Sequence, residues 1–396
     1  MRIGMILDSD FPTDPRVENE AVELIKKGHE VFLFCLNYGN QLFEEEIRGI
    51  KIKRYHSNKL EYKLSALAYT IPLYSWLMKR KISDFIYKNK VNALHIHDIR
   101  IAEAVFLANN QYNLPTVLDL HDNMPEIMKL YPHLQKFPGK YIISPKKWKR
   151  KEEAFIAKST KIVTVSQEFA DEVIERTKIA AQKIIVAPNT VAASFYKNAK
   201  LNDTIINRYK DYFTLLYLGD THLRRGLQTA ISALEIIAKE IPTIKLVIVG
   251  KNTTDAILKQ QVKDAKVTAF VDFEGWQNLS LFPSYIMASD LCISPLHRNI
   301  QHDVAYANKL FQYMSFSKPL LVSDAIAQKK LINRIKAGLI HKEKDVVDFA
   351  TKVLELYTQP ELREQLGKNG SEFVKNEFSW EHTSKELLNL YDTLSG

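Results

Sequence analysis

The chain has 396 residues and a formal net charge of +9, with apolar and charged fractions of 46% and 26%. This length exceeds one ordinary hydrophobic core, so we expect two globular domains. No apolar run is long enough to span a bilayer, and Met1 leads directly into a first strand, so we expect neither a membrane span nor a signal peptide. The two cysteines, Cys35 and Cys292, lie in apolar runs typical of reduced, buried strand residues in a cytoplasmic protein.

The first half of the chain alternates strand and helix patterns. A strand over Ile3–Leu7 is followed by Asp14, which can cap a helix that has Pro15 at its first position and is stopped by Gly28. Nearly continuous apolar strands alternating with helices predict a doubly wound parallel sheet over residues 1–195. The further strands are predicted at Val31–Cys35, Ala93–Ile96, Thr116–Leu120, Lys161–Val165 and Lys183–Val186.

The apolar pattern lapses at 192–203, which we interpret as a linker, and a second α/β domain is predicted over 204–378. Its strands are predicted at Phe213–Leu218, Lys245–Val249, Val267–Phe270, Leu291–Ser294 and Leu320–Val322. Its helices are predicted at Leu227–Glu240, Thr254–Ala265, Pro283–Ala288, Val346–Thr358 and Pro360–Glu377, with a last helix at Trp380–Leu394. Open α/β sheets bind ligands beyond the carboxyl ends of their strands, so we expect the site in the cleft between two facing domains.

The segment Asn308–Pro319 reads as a helix with a polar start, followed by a break and a buried strand. Lys309 and Gln312 are three residues apart and project from one face of the first turns. Free N–H groups, the helix dipole and a lysine together suit a phosphorylated ligand. The alternative is an ordinary amphipathic helix that packs its apolar residues on a sheet.

Three further glycines follow predicted strands. Gly219 permits close backbone approach, and Arg225 beside the next helix can clamp a diphosphate; the alternative is a solvated surface arginine. Gly250 ends another strand, and Gly275 is either part of a base-binding slot or a plain turn glycine. No GxGxxG or GxxxxGK[ST] loop and no serine nucleophile elbow occurs, which argues against dehydrogenase, ATPase and hydrolase activities.

Two His-Asp pairs fall at strand ends, His97-Asp98 and His121-Asp122. A metal site with His95, His97 and His121 lacks a convincing fourth ligand, so no metal is predicted. His121 is better interpreted as a histidine that hydrogen-bonds a sugar hydroxyl or a phosphate, with a structural role as the alternative.

Basic residues mix with aromatic ones in Tyr62–Tyr87 and in Lys146–Lys151. Such mixtures suit anionic lipid headgroups, so we expect peripheral contact with the cytoplasmic face of the inner membrane. Ordinary helices with solvated faces are one alternative. Nucleic acid is another, but no binding motif accompanies the patches.

In order and spacing, these segments resemble the GT-B glycosyltransferases, in particular the large retaining family (family 4 type) of bacterial surface-glycan biosynthesis. The pieces that carry the resemblance span nearly the whole chain: Asp14-Pro15-Arg16-Val17, Asp119-Leu120-His121-Asp122, Ala187-Pro188-Asn189, Leu218-Gly219, Arg225-Gly226-Leu227, Ala288–Pro295, Asn308–Pro319 and Phe378-Ser379-Trp380. The last piece is similar to the start of the helix, here about 380–396, that returns to the first domain.

The resemblance implies a nucleotide-sugar donor, UDP- or GDP-linked, held by the second domain, and a lipid-linked or glycan acceptor held by the first, without a metal or other cofactor. It implies transfer with retention in the assembly of polysaccharide, lipopolysaccharide or capsule. The catalytic residues would be His121 and Asp122, and the donor would be bound by Gly219, Arg225, Gly250, Gly275, Asn308, Lys309, Leu310 and Gln312.

The chain departs from the family where the paired glutamates would fall, at Val304 and Gln312, and Asp220 replaces a basic residue after Gly219. Asp303 is a possible substitute acid if the loop shifts by one residue. Two alternative functions stay open. One is a nucleotide-sugar 2-epimerase of the same fold, which needs several carboxylates, and the other is a degenerate binding subunit without turnover.

Overall fold

The computed structural model describes residues 1–395, with the side chains of all but 132, 133 and 395. The chain forms two compact units. Unit 1 comprises Met1–Pro188 and the segment from Ser384 onwards, and unit 2 comprises Asn189–Thr383. The α/β fold class with two parallel, Rossmann-like sheets, one in each unit, is confirmed.

Unit 1 is built on an eight-stranded sheet in the order β3-β4-β2-β1-β5-β6-β7-β8. All neighbouring strands are parallel except β3 and β4, which are antiparallel. The strand order reverses between β1 and β5, as in doubly wound folds, so the loops that follow these two strands diverge. The strands are β1 (Arg2–Ile6), β2 (Glu30–Asn37), β3 (Glu44–Ile47), β4 (Ile50–His56), β5 (Ala93–His97), β6 (Thr116–Leu120), β7 (Lys161–Thr164) and β8 (Ile184–Val186).

Helices connect the strands of unit 1. The first begins as the sequence predicts: Asp14 accepts a hydrogen bond from the Arg16 N–H at 2.9 Å, and Pro15 occupies the first position. The helices are α1 (Pro15–Lys26), α2 (Lys59–Ser65), α3 (Leu73–Asn89), α4 (Ala102–Asn109), α5 (Met124–Met128), α6 (Pro132–Gln135), α7 (Gly139–Ile142), α8 (Pro145–Lys158) and α9 (Gln167–Thr177).

The edge strand β3 and its neighbour β4 are absent from the sequence prediction. Apolar and basic residues alternate at the start of β4, β3 begins with three glutamates, and the register places Glu44 opposite Lys53 and Glu46 opposite Lys51. The antiparallel pairing thereby offsets much of the positive charge that the sequence places here.

Unit 2 is built on a six-stranded parallel sheet in the order β11-β10-β9-β12-β13-β14, which reverses between β9 and β12. The strands are β9 (Phe213–Leu218), β10 (Ile244–Val249), β11 (Val271–Gly275), β12 (Leu291–Ser294), β13 (Leu320–Ser323) and β14 (Gly338–His341). The helices are α10 (Ala193–Lys197), α11 (Asp203–Tyr209), α12 (Leu227–Glu240), α13 (Asp255–Asp264), α14 (Phe282–Met287), α15 (Ile300–Val304), α16 (Asn308–Ser315), α17 (Ile326–Ile335), α18 (Val346–Thr358), α19 (Pro360–Asn376) and α20 (Trp380–Thr383).

Two expectations about unit 2 are corrected. The strand predicted at Val267–Phe270 is wrong: a 3₁₀ turn covers Thr268–Phe270, and the strand follows it. The segment 192–203 contains α10, and Val191 and Phe195 pack into the core of unit 2. The boundary between the units therefore precedes this segment.

A final helix, α21 (Lys385–Ser395), belongs to unit 1. Leu387, Leu390 and Tyr391 are buried in the cluster that also contains strands β1 and β2. The predicted single helix from Trp380 is divided, since α20 ends at Thr383.

Because Leu387 is fully buried, we expect Leu387→Ala to lower the free energy of unfolding by about 2–5 kcal/mol. Urea denaturation followed by circular dichroism measures the change. Glu386→Ala, at an exposed position of the same helix, is the control. Equal midpoints for the two variants would contradict the packing of α21.

Candidate functional site

Unit 1 gathers charged side chains beyond β5 and β6. Arg16 reaches from α1 to Asp119 on β6, where its Nε and Nη2 donate to the two carboxylate oxygens at 2.9 and 2.8 Å. Its Nη1 donates to the Ala187 carbonyl at 2.7 Å, and its Nη2 lies 2.9 Å from the Glu20 carboxylate. These charged side chains are buried, and their pairing offsets the cost of burial.

His121 lies directly above this pair. Its Nε2 is 3.0 Å from Asp119 Oδ2 and 3.1 Å from His97 Nδ1. Its Nδ1 is 3.6 Å from the Asp14 carboxylate and 3.7 Å from that of Asp98. The structure thus places carboxylates near both ring nitrogens of the predicted catalytic histidine, with Asp119 at hydrogen-bond distance.

The protonation of these groups follows from their surroundings. Burial lowers the pKa of His121, but the charges of Asp98 and Asp119 outweigh burial and raise it to about 10. Burial and the neighbouring His95 lower the pKa of His97 to about 3. Although burial opposes it, the Arg16 charge holds the pKa of Asp119 well below its usual range. His121 is therefore a cation at neutral pH, and both of its ring nitrogens are hydrogen-bond donors.

Glu20, His95, His97 and Asp119 bring four side-chain donor atoms within 4.8 Å of one another, residue types that also occur in metal sites. Arg16 lies among them and pairs with both carboxylates, and the protonated His121, whose Nε2 is 3.0 Å from Asp119, supplies a second positive charge. With these two cations the two carboxylates are balanced within the protein. That the protein requires no metal stays a prediction.

The other predicted catalytic residue, Asp122, is half-buried and lies near this group. Burial, and to a smaller extent the charge of Asp122, raise the pKa of Asp98 to about 6. Sequence reasoning missed Arg16, Glu20 and Asp98 as site residues. The spacing of Arg16 and Glu20, one turn apart on α1, was the available signal.

In unit 2 the predicted Lys309 and Gly219 come together. A Cβ at Gly219 would lie 3.8 Å from Lys309 Nζ. The ammonium group is 3.4 Å from the centroid of the Tyr217 ring and has no hydrogen-bond acceptor among the described residues. Burial, together with the charge of Arg225, lowers the pKa of Lys309 well below its usual value. A buried amine without an acceptor is unfavourable unless an anion joins it.

Arg225 lies near enough to influence Lys309, but it is held by Asp220. The Asp220 Oδ2 atom is 3.4 Å from Arg225 Nε and 3.3 Å from Arg224 Nη2. The Asp220 Oδ1 atom accepts hydrogen bonds from Asn252 Nδ2 and the His222 N–H, at 2.7 and 3.1 Å. The carboxylate that replaces the family's basic residue therefore orients both arginines.

The remaining predicted donor-binding residues differ in position. A Cβ at Gly250 would lie 1.8 Å from the Gly219 carbonyl oxygen, so backbone packing already requires this glycine. Gly275, the last residue of β11, has a φ of 66° and open space around it. At the start of α16, Asn308 is exposed and Gln312 is half-buried. Leu310 is fully buried in the core, so its side chain does not contribute to a binding surface.

The position of the missing glutamate is apolar and closed. Val304 is buried at the end of α15. The possible substitute Asp303 accepts hydrogen bonds from Arg298 at 3.1 and 3.2 Å and from the Ile326 N–H at 3.0 Å. These contacts give Asp303 a structural role in unit 2.

The basic and aromatic segments are corrected in part. Tyr69, Tyr74, Phe85 and Trp148 are buried, and Trp148 packs edge-on against Tyr69. Several basic residues are neutralised by acidic partners: Lys51, Lys53, Arg54, Lys81, Lys88, Lys149 and Lys151.

Tyr62, Trp76 and Tyr87 of the first segment stay exposed. A second exposed surface begins just before the second segment, and we call it the α7–α8 surface. Phe137, Tyr141 and Ile142 are exposed there. Beside them lie Lys146, Lys147 and Arg150, also exposed and without an ion-pair partner in the part of the chain that the structure describes. Within that part, no helix combines the length and the apolarity needed to cross a membrane.

Comparison with protein families matches both halves of the chain. Residues 16–195 match the model for Glycosyltransferase Family 4, and residues 199–373 match that for Glycosyl transferases group 1. A putative glycosyltransferase, EpsD of Bacillus subtilis, is 23% identical over 46% of each chain. The phosphatidyl-myo-inositol mannosyltransferase of Mycolicibacterium smegmatis is 21% identical over 100% of this chain and 95% of its own.

Two solved structures share the fold. Sucrose-phosphate synthase from Thermosynechococcus elongatus has a TM-score of 0.80 at 16% identity, covering 100% of this chain and 99% of its own. HepE of Anabaena, solved in complex with UDP-glucose, has a TM-score of 0.71 at 13% identity, covering 99% of this chain and 100% of its own. At these identities the likeness concerns the fold alone.

The unpaired Lys309 predicts a gain of stability when it is removed. We expect Lys309→Met to raise the free energy of unfolding by about 1–3 kcal/mol at pH 7, because an unsatisfied polar group leaves the core. The pKa of Lys309 in the folded protein lies below its value in the unfolded chain, so wild-type stability rises with pH between the two values. The stability difference between the variant and the wild type therefore shrinks towards pH 10. Thermal denaturation at several pH values measures this.

Lys318→Met is the matched control. The Lys318 ammonium donates to the carbonyls of Met287 and Ser289 at 3.0 and 2.6 Å, so its loss leaves two acceptors unpaired and lowers stability. If Lys309→Met were destabilising to the same extent, Lys309 would have a structural partner, and its interpretation as an anion-binding residue would be wrong.

Proposed function

We propose that this chain transfers a sugar from a UDP- or GDP-linked donor to a lipid-linked or glycan acceptor in surface-glycan assembly. Both halves of the chain belong to glycosyltransferase families, and both units share the fold of the GT-B enzymes, which supports the proposal. Unit 2 binds the donor in this proposal, and unit 1 binds the acceptor. The transfer proceeds with retention, a feature taken from the family rather than from individual residues.

The observation that carries this proposal is the buried amine of Lys309 beside Gly219, without an acceptor among the described residues. A diphosphate supplies the missing acceptors, and its charge favours the protonated amine. Arg225, held nearby by Asp220, adds a second cation. The diphosphate gains negative charge as the glycosidic bond breaks, so cations fixed in advance stabilise the transition state more than the ground state.

His121 contributes as a donor of hydrogen bonds. With a pKa of about 10 it stays protonated at neutral pH, so it does not act as a general base. A protonated imidazole can hold a sugar hydroxyl or a phosphate oxygen while the sugar develops oxocarbenium character. Asp122 follows His121 directly in the sequence, and we propose that it accepts a hydrogen bond from a sugar hydroxyl.

The second candidate function is a binding subunit without turnover. It is favoured by Val304, which closes the position of the family's first glutamate, and by Asp303, which is engaged with Arg298. The 2-epimerase alternative gains no support, because that reaction needs several acidic groups and these positions offer none that is free of structural contacts.

For the acceptor, we propose a lipid-linked molecule reached from the cytoplasmic face of the inner membrane. The α7–α8 surface supports this, since exposed Phe137, Tyr141 and Ile142 lie next to three basic residues without ion-pair partners among the described residues. Aromatic side chains insert between headgroups, and basic side chains attract anionic lipid.

A panel of UDP- and GDP-sugars tests the transferase. We expect release of nucleoside diphosphate from one donor class, and we expect Arg225→Ala and Lys309→Ala each to lower kcat/KM by about 100-fold or more, because each removes a cation from the leaving group. Arg208→Ala, an exposed arginine of unit 2 that pairs with Glu274, is the control. Donor binding without turnover would favour the binding subunit.

Co-sedimentation with liposomes that contain anionic phospholipid tests the membrane contact. Replacing Lys146, Lys147 and Arg150 by Gln removes three charges worth about 1 kcal/mol each, so partitioning falls roughly 100-fold. The control replaces Lys329, Lys330 and Lys336, which are equally exposed in unit 2, by Gln. Equal partitioning of the two variants would contradict the proposed surface.

A further inference from the structure

Behind His121 lies a continuous chain of buried charges that the proposed reaction does not itself require. We propose that Asp119, Arg16 and Glu20 are positioning residues that hold the His121 imidazole in one orientation, with its Nε2–H directed at Asp119. The inference rests on the proposed function only in assigning His121 to the transfer. These three residues touch no substrate in this proposal and act through His121.

Each link of this chain is short. The Glu20 carboxylate lies 2.9 Å from Arg16 Nη2, and Arg16 grips both oxygens of Asp119 at 2.8 and 2.9 Å. Asp119 Oδ2 then lies 3.0 Å from His121 Nε2. Because the bidentate Arg16 contact fixes the plane of the Asp119 carboxylate, it also fixes the direction in which Asp119 accepts from His121.

The C-terminal helix is tied to the same chain. The Tyr391 hydroxyl lies 2.8 Å from His95 Nδ1, and the opposite nitrogen, Nε2, is 3.5 Å from Glu20 and 3.8 Å from Asp119. His95 therefore closes the far side of the group, so that the Glu20 and Asp119 carboxylates are enclosed by protein. Enclosure strengthens each charged contact relative to water.

His121 faces charged or titratable groups from each element that contacts it. Asp14 lies at the start of α1, His97 and Asp98 lie at the end of β5, and Asp119 lies on β6. Arg16 and Glu20 stand behind Asp119. Of the carboxylates, Asp119 is the one within hydrogen-bonding distance of an imidazole nitrogen, so it sets the orientation of the ring.

Unit 1 contains a second buried pair that serves as a matched control. Glu152 is also fully buried, and its Oε2 lies 2.6 Å from Arg176 Nη2. Burial raises the pKa of Glu152 to about 7, as it does for Glu20, in spite of the arginine partner in both cases. Among the described residues, Arg176 pairs with Glu152, Glu153 and Glu172, and neither Glu152 nor Arg176 pairs with a histidine. Glu152→Gln thus has the structural cost of Glu20→Gln without an effect on His121.

The experiment follows the imidazole carbons of the histidine-labelled full chain by NMR between pH 5 and 10, with His121→Gln to assign the signal. In the wild type we expect His121 to stay protonated up to about pH 9. We expect Asp119→Asn and Glu20→Gln to lower its midpoint by at least about one pH unit, since one pKa unit corresponds to a tenfold change in proton affinity. Glu152→Gln should leave the midpoint unchanged.

Glu20→Gln keeps the test decisive if Asp119→Asn does not fold. In enzyme assays the same shift should appear as a loss of kcat at alkaline pH, with the donor KM unchanged. A wild-type midpoint near 6.5, or equal midpoints in Glu20→Gln and Glu152→Gln, would overturn the inference. If His121 and its variants titrate as expected but the chain transfers no sugar, the proposed function alone would be refuted.

Discussion

Parallel strand order is the constraint on which both candidate sites depend. In each sheet the order reverses beside its first strand, at β1 and β5 in unit 1 and at β9 and β12 in unit 2. The chain leaves neighbouring strands in opposite directions at such a point, and space opens beyond their carboxyl ends. The charged residues of each unit gather at or next to this end of its sheet.

The two units treat buried charge differently. In unit 1 every charge of the inner group has a partner of opposite sign, and Arg16 is shared between Glu20 and Asp119. In unit 2 the amine of Lys309 faces an aromatic ring and no acceptor among the described residues. The charges of the first group are thus balanced within the protein, whereas under the proposed function a bound diphosphate would relieve the imbalance in unit 2.

Much of the fold follows from local pattern. Strand Thr116–Leu120 and helix Leu227–Glu240 were predicted with their observed bounds, because apolar runs and helical periodicity are local signals. Strand Ile50–His56 was missed because lysines alternate with its apolar residues. These lysines pair with glutamates of the neighbouring strands β2 and β3, which local pattern does not reveal. Lys309 and Gly219 could both be assigned to one binding site from the sequence, because both lie where this fold class binds ligands. The contact of Arg16 with Asp119 depends on the packing of α1 across the sheet, a tertiary relation without a sequence period.

Asp220 has a consequence for how tightly any anion is held. Its carboxylate pairs with the guanidinium groups of Arg224 and Arg225, as a phosphate oxygen would. An incoming anion exchanges one set of ionic contacts for another, so its net gain is smaller than free arginines would give. Under the proposed function, the same exchange would operate in reverse after sugar transfer, when the carboxylate recovers its arginines as the nucleoside diphosphate departs. A residue that weakens the grip on the leaving molecule thus hastens the return of the protein to its starting state.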